Sequence, residues 1–192
     1  MLSTTLKSYL PYLLLLTLST ALYVLPATWQ QLLEYQADAI QHGELWRLLS
    51  GHLLHSNLLH LLMNLLGLVV LMLLHGKLAG RLAVGWQVLL LSLSTGLALL
   101  WLAPDIEIYV GLSGILHGLL CYGATADLRQ GYRSGALILI GVAIKVGAEQ
   151  WQGPDPELSA QIAAEVAIDA HLYGAVSGVL LALLSWRYIR RQ

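Results

Sequence analysis

Long apolar runs separated by short clusters of charge dominate this sequence. Charge-free stretches extend from Ser8 to Leu33, Leu48 to Gly76, Leu82 to Pro104, Ile108 to Ala126, Ser134 to Ile144 and Ala170 to Trp186. A helix crosses the hydrocarbon core of a bilayer with about 20 mostly apolar residues, at a rise of about 1.5 Å each. The pattern therefore predicts helices near 9–26, 53–74, 82–102, 112–127, 134–150 and 169–188, an all-α polytopic membrane fold in which residues 1–192 form a single six-helix domain. The fifth helix continues past Lys145, because a lysine near a helix end can carry its charge to the interface. Residues of about 27–50 are polar, flanked by aromatics and too numerous for a simple turn, which reads as a partly structured loop at the membrane surface. With Lys7 ahead of it, the first run has the outline of a signal sequence. Its charge-free stretch exceeds the roughly 7–15 residues of a signal core and its A-x-A exit is poor, so a retained helix is expected.

Composition turns this pattern into an argument about solvent. Of 192 residues 57% are hydrophobic and 11% charged, against about 25% charged in an ordinary soluble domain, and the mean hydropathy is +0.69. Too few polar side chains exist to cover a surface in water, so lipid is the expected partner of most of the exterior. A water-soluble enzyme and a disordered protein are excluded. So is a nucleic-acid partner, since 10 Lys+Arg against 11 Asp+Glu give no basic field for phosphates. The lone Cys121 rules out an internal disulfide and a multi-cysteine zinc site. Lys7, Lys77, Arg81, Arg129, Arg133, Arg187, Arg190 and Arg191 fall on one side of the predicted spans, with only Arg47 and Lys145 opposite. The excess of cations on the cytoplasmic side then places both termini in the cytoplasm.

Against this background, polar groups inside the predicted spans become candidate chemistry. Three clusters stand out: His52, His55, His60 and Asn64 at the start of the second span; Gly111-Leu112-Ser113-Gly114 with His117 at the start of the fourth; and His171 within Ala170-His171-Leu172-Tyr173-Gly174 at the start of the sixth. All three spans begin on the outer face, so the clusters share one depth. Gly114 and Gly118 on the fourth span, and Ala170, Gly174, Gly178 and Ala182 on the sixth, make small-xxx-small faces that let helices approach closely in lipid. Ser113 and His171 flank those faces, within expected hydrogen-bond reach.

A serine hydroxyl becomes a nucleophile when a base takes its proton, and a neutral imidazole is the usual base. Ser113 as nucleophile and His171 as general base make a dyad. Asp169 lies two residues from His171 and so points to a different helix face. His60 and Asn64, four apart on one face, can offer N–H groups to a developing oxyanion beside the Ser113 amide. Gly111 and Gly114 allow a tight turn into the helix and leave room for a substrate backbone. No cofactor and no metal is expected. An outward-open cavity is expected at the polar ends of the second, fourth and sixth spans, with the 27–50 loop and the outer end of the fifth span controlling access.

Trp46-Arg47, then His55, His60 and Asn64, then GLSG around Ser113 and AHLYG around His171, resemble the rhomboid intramembrane serine proteases over roughly residues 44–182. The resemblance implies Ser113 as nucleophile, His171 as base and His60 with Asn64 at the oxyanion hole. It also implies that His55 is structural and that Trp46-Arg47 belongs to the membrane-surface loop. His117 stands where the family usually has a Tyr beneath the base; stacking, donating a hydrogen bond and titrating are its three open roles. GLSGILHGLL, the compact length and the lack of a soluble cytoplasmic domain are similar to the rhombosortase branch. That likeness implies bacterial surface or secreted precursors as substrates, carrying a C-terminal Gly-Gly motif, an apolar helix and a basic tail. It also implies the bacterial inner membrane, with the active site opening to the periplasmic side. The alternative is a haem- or metal-binding membrane protein that uses the intramembrane histidines, although no H-E-x-x-H occurs and the spans lack acidic ligands. A transporter ranks lower, with no internal repeat and no acid at midplane.

Overall fold

The computed structural model describes residues 4–76 and 82–189. In chain order its elements are α1 (Thr4–Tyr23), α2 (Ala27–Gln31), β1 (Tyr35–Gln36), α3 (Ala37–Gln41), α4 (Arg47–Ser50), a 3-10 turn over Gly51–Leu53, α5 (Leu58–His75), α6 (Val84–Leu102), β2 (Ile108–Tyr109), α7 (Ser113–Arg129), α8 (Ser134–Gln152), α9 (Pro156–Ile162) and α10 (Ile168–Ile189). Six of the described helices are long, and they follow the six apolar runs. Leu58–His75, Val84–Leu102 and Ile168–Ser185 are each long and apolar enough to cross a membrane, with mean hydropathy of 2.2, 1.6 and 1.5. Their outward faces carry exposed leucines such as Leu66, Leu73 and Leu184, the covering that lipid requires. Of the cations that orient the chain, Lys77, Arg81, Arg190 and Arg191 lie outside the described residues.

The second helix starts later than its apolar run. Asn57 caps α5 by accepting from the His60 amide at 2.9 Å, satisfying one of the free N–H groups of the first turn. Ahead of it Leu54 is extended and His52 lies in the 3-10 turn. A capping side chain therefore overrides hydrophobicity in setting this boundary.

The surface loop is built around one buried cation. Arg47, 4% exposed, donates from Nη1 to the carbonyls of Gln31 and Glu34, each at 2.8 Å, and from Nε to Glu44 at 2.6 Å. Trp46 donates from its indole to the Leu32 carbonyl at 3.0 Å. The loop then pairs β1 antiparallel to β2, Tyr35 opposite Tyr109 and Gln36 opposite Ile108. This two-stranded bridge ties 27–50 to the segment that leads into α7.

α7 is the central helix, packed against α5, α6, α8 and α10. Its closest neighbour is α10, and the small residues are the reason. A Cβ on Gly174 would overlap the Gly114 carbonyl, and one on Gly178 would overlap that of Gly118. Only glycine at these two α10 positions lets the backbones lie in direct contact. This crossing fixes the N-terminal turns of α10 against those of α7.

Candidate active site

Ser113 is the first residue of α7. The turn that delivers it passes through Gly111 at φ +133, a conformation that L side chains rarely adopt. A Cβ there would also lie 2.9 Å from Cε1 and Nε2 of His60. The turn is held from behind: the Tyr109 hydroxyl donates to the Gly111 carbonyl, and the Gly111 amide donates to the Gly51 carbonyl at 3.2 Å. The His52 ring packs edge-on against Tyr109 and donates from Nε2 to the Ser92 carbonyl at 3.1 Å. Burial pushes the Tyr109 hydroxyl's pKa up and lowers that of His52 to about 4, the Ser92 bond opposing the second shift. Both side chains are thus neutral supports at ordinary pH.

At the α7–α10 crossing, Ser113 Oγ lies 2.9 Å from His171 Nε2. The ring of His117 stacks on that of His171, with centroids 4.3 Å apart and planes 22° from parallel. His117 Nδ1 donates to the Ser113 carbonyl at 2.8 Å. Of the three open roles for His117, the geometry displays stacking together with a bond to its own helix.

His60, Asn64, Ser113, His117, Glu149 and His171 line one cavity of about 290 Å³. Asn64 is buried and donates from Nδ2 to the His60 carbonyl at 3.2 Å, leaving its second N–H for the cavity. His60 Nδ1 lies 3.0 Å from Ser56 Oγ. The Ser56 hydroxyl gives its proton to the Ile162 carbonyl, so its oxygen accepts from His60 Nδ1. A neutral His60 then has no proton on Nε2, the nitrogen nearer Gly111. Ser113's own amide lies in the free first turn of α7. His55 is buried edge-on to His60 at 5.1 Å, and neither of its ring nitrogens has a partner among the described residues. Gly114 and Gly174 sit in the helix crossing, and Trp46 and Arg47 stay in the surface loop, away from the cavity.

Two features were not anticipated. One side of the cavity is formed by α9 rather than by 27–50, which contributes no lining residue, while Lys145 and Glu149 near the end of the fifth long helix do line it. Asp155 and Pro156 start α9, with the Asp155 carboxylate accepting from the amides of Glu157 and Leu158, and Asn57 Nδ2 donates to the Gln161 carbonyl at 2.8 Å. In addition His171 does not stand with Ser113 alone. Its Nδ1 lies 3.1 and 3.0 Å from the two carboxylate oxygens of Glu149. Lys145 Nζ is 2.8 Å from Glu149 Oε1 and 3.2 Å from the same ring nitrogen. Asp169 is instead bonded to Gln150 at 3.2 Å. Sequence reasoning used Lys145 only as a charge near a helix end and gave Glu149 no role; their i,i+4 spacing at the depth of His171 was the available signal.

Comparison with known families adds an independent finding. The family model described as the Rhomboid domain matches residues 42–188, a span that contains every cavity-lining residue named above. No curated protein matches the chain.

Proposed function

The chain belongs to the rhomboid family, and on that premise we propose that it is an intramembrane serine endopeptidase in which Ser113 is the nucleophile and His171 the general base. The observation that carries the proposal is the 2.9 Å contact between Ser113 Oγ and His171 Nε2 at the wall of a cavity inside an otherwise apolar bundle. In the reaction, Oγ attacks the scissile carbonyl carbon as its proton passes to Nε2. His171 then returns that proton to the leaving amine, and a water activated by the same nitrogen releases the acyl group. The Ser113 amide and the second N–H of Asn64, from two residues that line the same cavity, are the donors for the oxyanion. His60 joins them as a donor through Nε2 when it carries a second proton or when Ser56 turns away. His55 supports the ring of His60, while Gly111 and Gly114 keep the serine turn open to a substrate backbone.

In this reading the six long helices act as one membrane domain, and the substrate is another membrane-anchored chain presented within the bilayer. The resemblance of GLSGILHGLL to rhombosortases narrows the substrate to bacterial precursors with a Gly-Gly motif, an apolar helix and a basic C-terminal tail. The cation distribution puts both termini in the cytoplasm and the cavity on the periplasmic side of the inner membrane. Mass spectrometry of a co-expressed Gly-Gly-tailed precursor tests these points together. The expected result is a tail-shortened product outside the inner membrane, absent with Ser113→Ala. An uncut precursor with the wild-type chain overturns the substrate class, and a shortened product confined to the cytoplasm overturns the orientation.

A further inference from the structure

Resting on that reading of Ser113 and His171, we propose that Glu149 is a positioning residue that sets the tautomer of His171, so that the site operates as a triad rather than a dyad. His171 Nε2 can take the Ser113 proton only if it carries a lone pair, which places the ring proton on Nδ1. Two groups face Nδ1, and they demand opposite things. The carboxylate of Glu149, with both oxygens at 3.0–3.1 Å, accepts an Nδ1 proton. The ammonium of Lys145, at 3.2 Å, has only protons to give and would bond Nδ1 only in the tautomer that cannot act as base. Lys145 is held from doing so by its ion pair with Glu149 Oε1 at 2.8 Å. Glu149 thus selects the productive tautomer, stabilises the imidazolium formed during attack and occupies the cation that would favour the wrong form. It does not itself take the proton.

The same geometry makes a prediction that simple packing would not. Without Glu149, Lys145 is free to bond Nδ1, so removing Lys145 as well should restore part of the loss. The groups that bear on His171 are Ser113 and His117 from α7, Lys145 and Glu149 from α8, His60 from α5, and Glu165 on the cavity wall, with Asp169 on α10 itself bonded to Gln150. α6 also packs against α10 and has no titratable side chain over Val84–Leu102.

The test measures the rate at which a fluorophosphonate labels the full-length protein in detergent, as a function of pH. Phosphonylation forms the Ser113 Oγ–phosphorus bond and expels fluoride, while the hydroxyl proton passes to His171. Glu149→Gln is expected to slow labelling by about 10²- to 10⁴-fold, the scale of a lost triad carboxylate, and to move the acid limb of the profile to lower pH. The double variant Lys145→Ala with Glu149→Ala is expected to label faster than Glu149→Ala alone. Wild-type rate and an unmoved acid limb in Glu149→Gln overturn the proposal, as does a double variant no faster than the single. Ser113→Ala is run alongside. If it still labels, the protease reading fails and this inference with it; if it does not label while Glu149→Gln behaves as wild type, this inference alone fails. Should Glu149→Gln lose its cooperative melt, the decision passes to the wild type labelled with ¹⁵N-histidine. There the resting proton of His171 is expected on Nδ1, and a proton on Nε2 overturns the assignment.

Discussion

Ser113 and His171 meet at 2.9 Å where the first turns of α7 and α10 cross, and the serine turn beneath them rests on Tyr109 and His52. Ser113 and His171 could be paired from sequence because each begins a span on the same face and flanks a small-residue stripe. Depth and helix-face spacing are both one-dimensional signals. Glu149 escaped because it lies past the charge-free run, near the end of the predicted fifth helix, and spacing along that helix does not reveal its contact with Nδ1 of a residue on α10. His117 was noticed as a departure, but a ring stack depends on two side-chain rotamers that spacing does not encode. The support beneath the serine turn gives a pH prediction. The His52 pKa is lowered to about 4 by burial, against about 6.5 in an unfolded chain. Above pH 6.5 the ring is neutral in both states and its contribution to stability is fully present. As pH falls from about 6.5 to about 4 the unfolded chain binds a proton that the folded ring refuses, and stability is lost, by at most about 3 kcal/mol. The advantage of wild type over His52→Gln in a detergent melt is expected to be largest above pH 6.5 and to shrink toward pH 4. An advantage constant across that window contradicts the argument.

At the scale of elements, apolar runs locate the long helices, within two residues at both ends for four of the six, and miss by up to five at α1 and α5. α5 begins at Leu58 because Asn57 caps it, several residues inside the apolar run, and α9 lies between the fifth and sixth predicted helices, where its seven residues carry no long hydrophobic period. The β1–β2 bridge is two residues per strand, below any pattern a sequence can announce. The α7–α10 crossing is the reverse case: glycines at four-residue spacing indicate close approach directly. Its energetics lead to a specific outcome for Gly174→Val. The added side chain would meet the Gly114 backbone, which cannot rotate away, so α10 must shift. Overpacking costs about 1–3 kcal/mol, and the shift separates His171 from Ser113. A lower thermal midpoint is therefore expected together with loss of serine labelling. Full labelling in a variant with an unchanged midpoint would show that the close crossing does not hold the pair.

At the scale of the whole molecule, lipid as solvent and buried polar chemistry are two sides of one composition. An apolar exterior spends few polar residues, and those that remain inside are gathered by three helix N-termini around one cavity. The bundle brings α5, α7 and α10 together through glycine contacts, and α8 supplies the two charges that complete the surroundings of His171. The loop of 27–50 acts from a distance, bracing the serine turn through β1, β2 and Tyr109 rather than covering the site. The central claim is that this assembly activates a single serine. Intact-mass and peptide mapping after fluorophosphonate treatment of the full-length protein tests it most directly. One adduct per chain is expected, on Ser113, abolished in Ser113→Ala and in His171→Ala; an adduct that persists in either variant, or that maps to another residue, contradicts it.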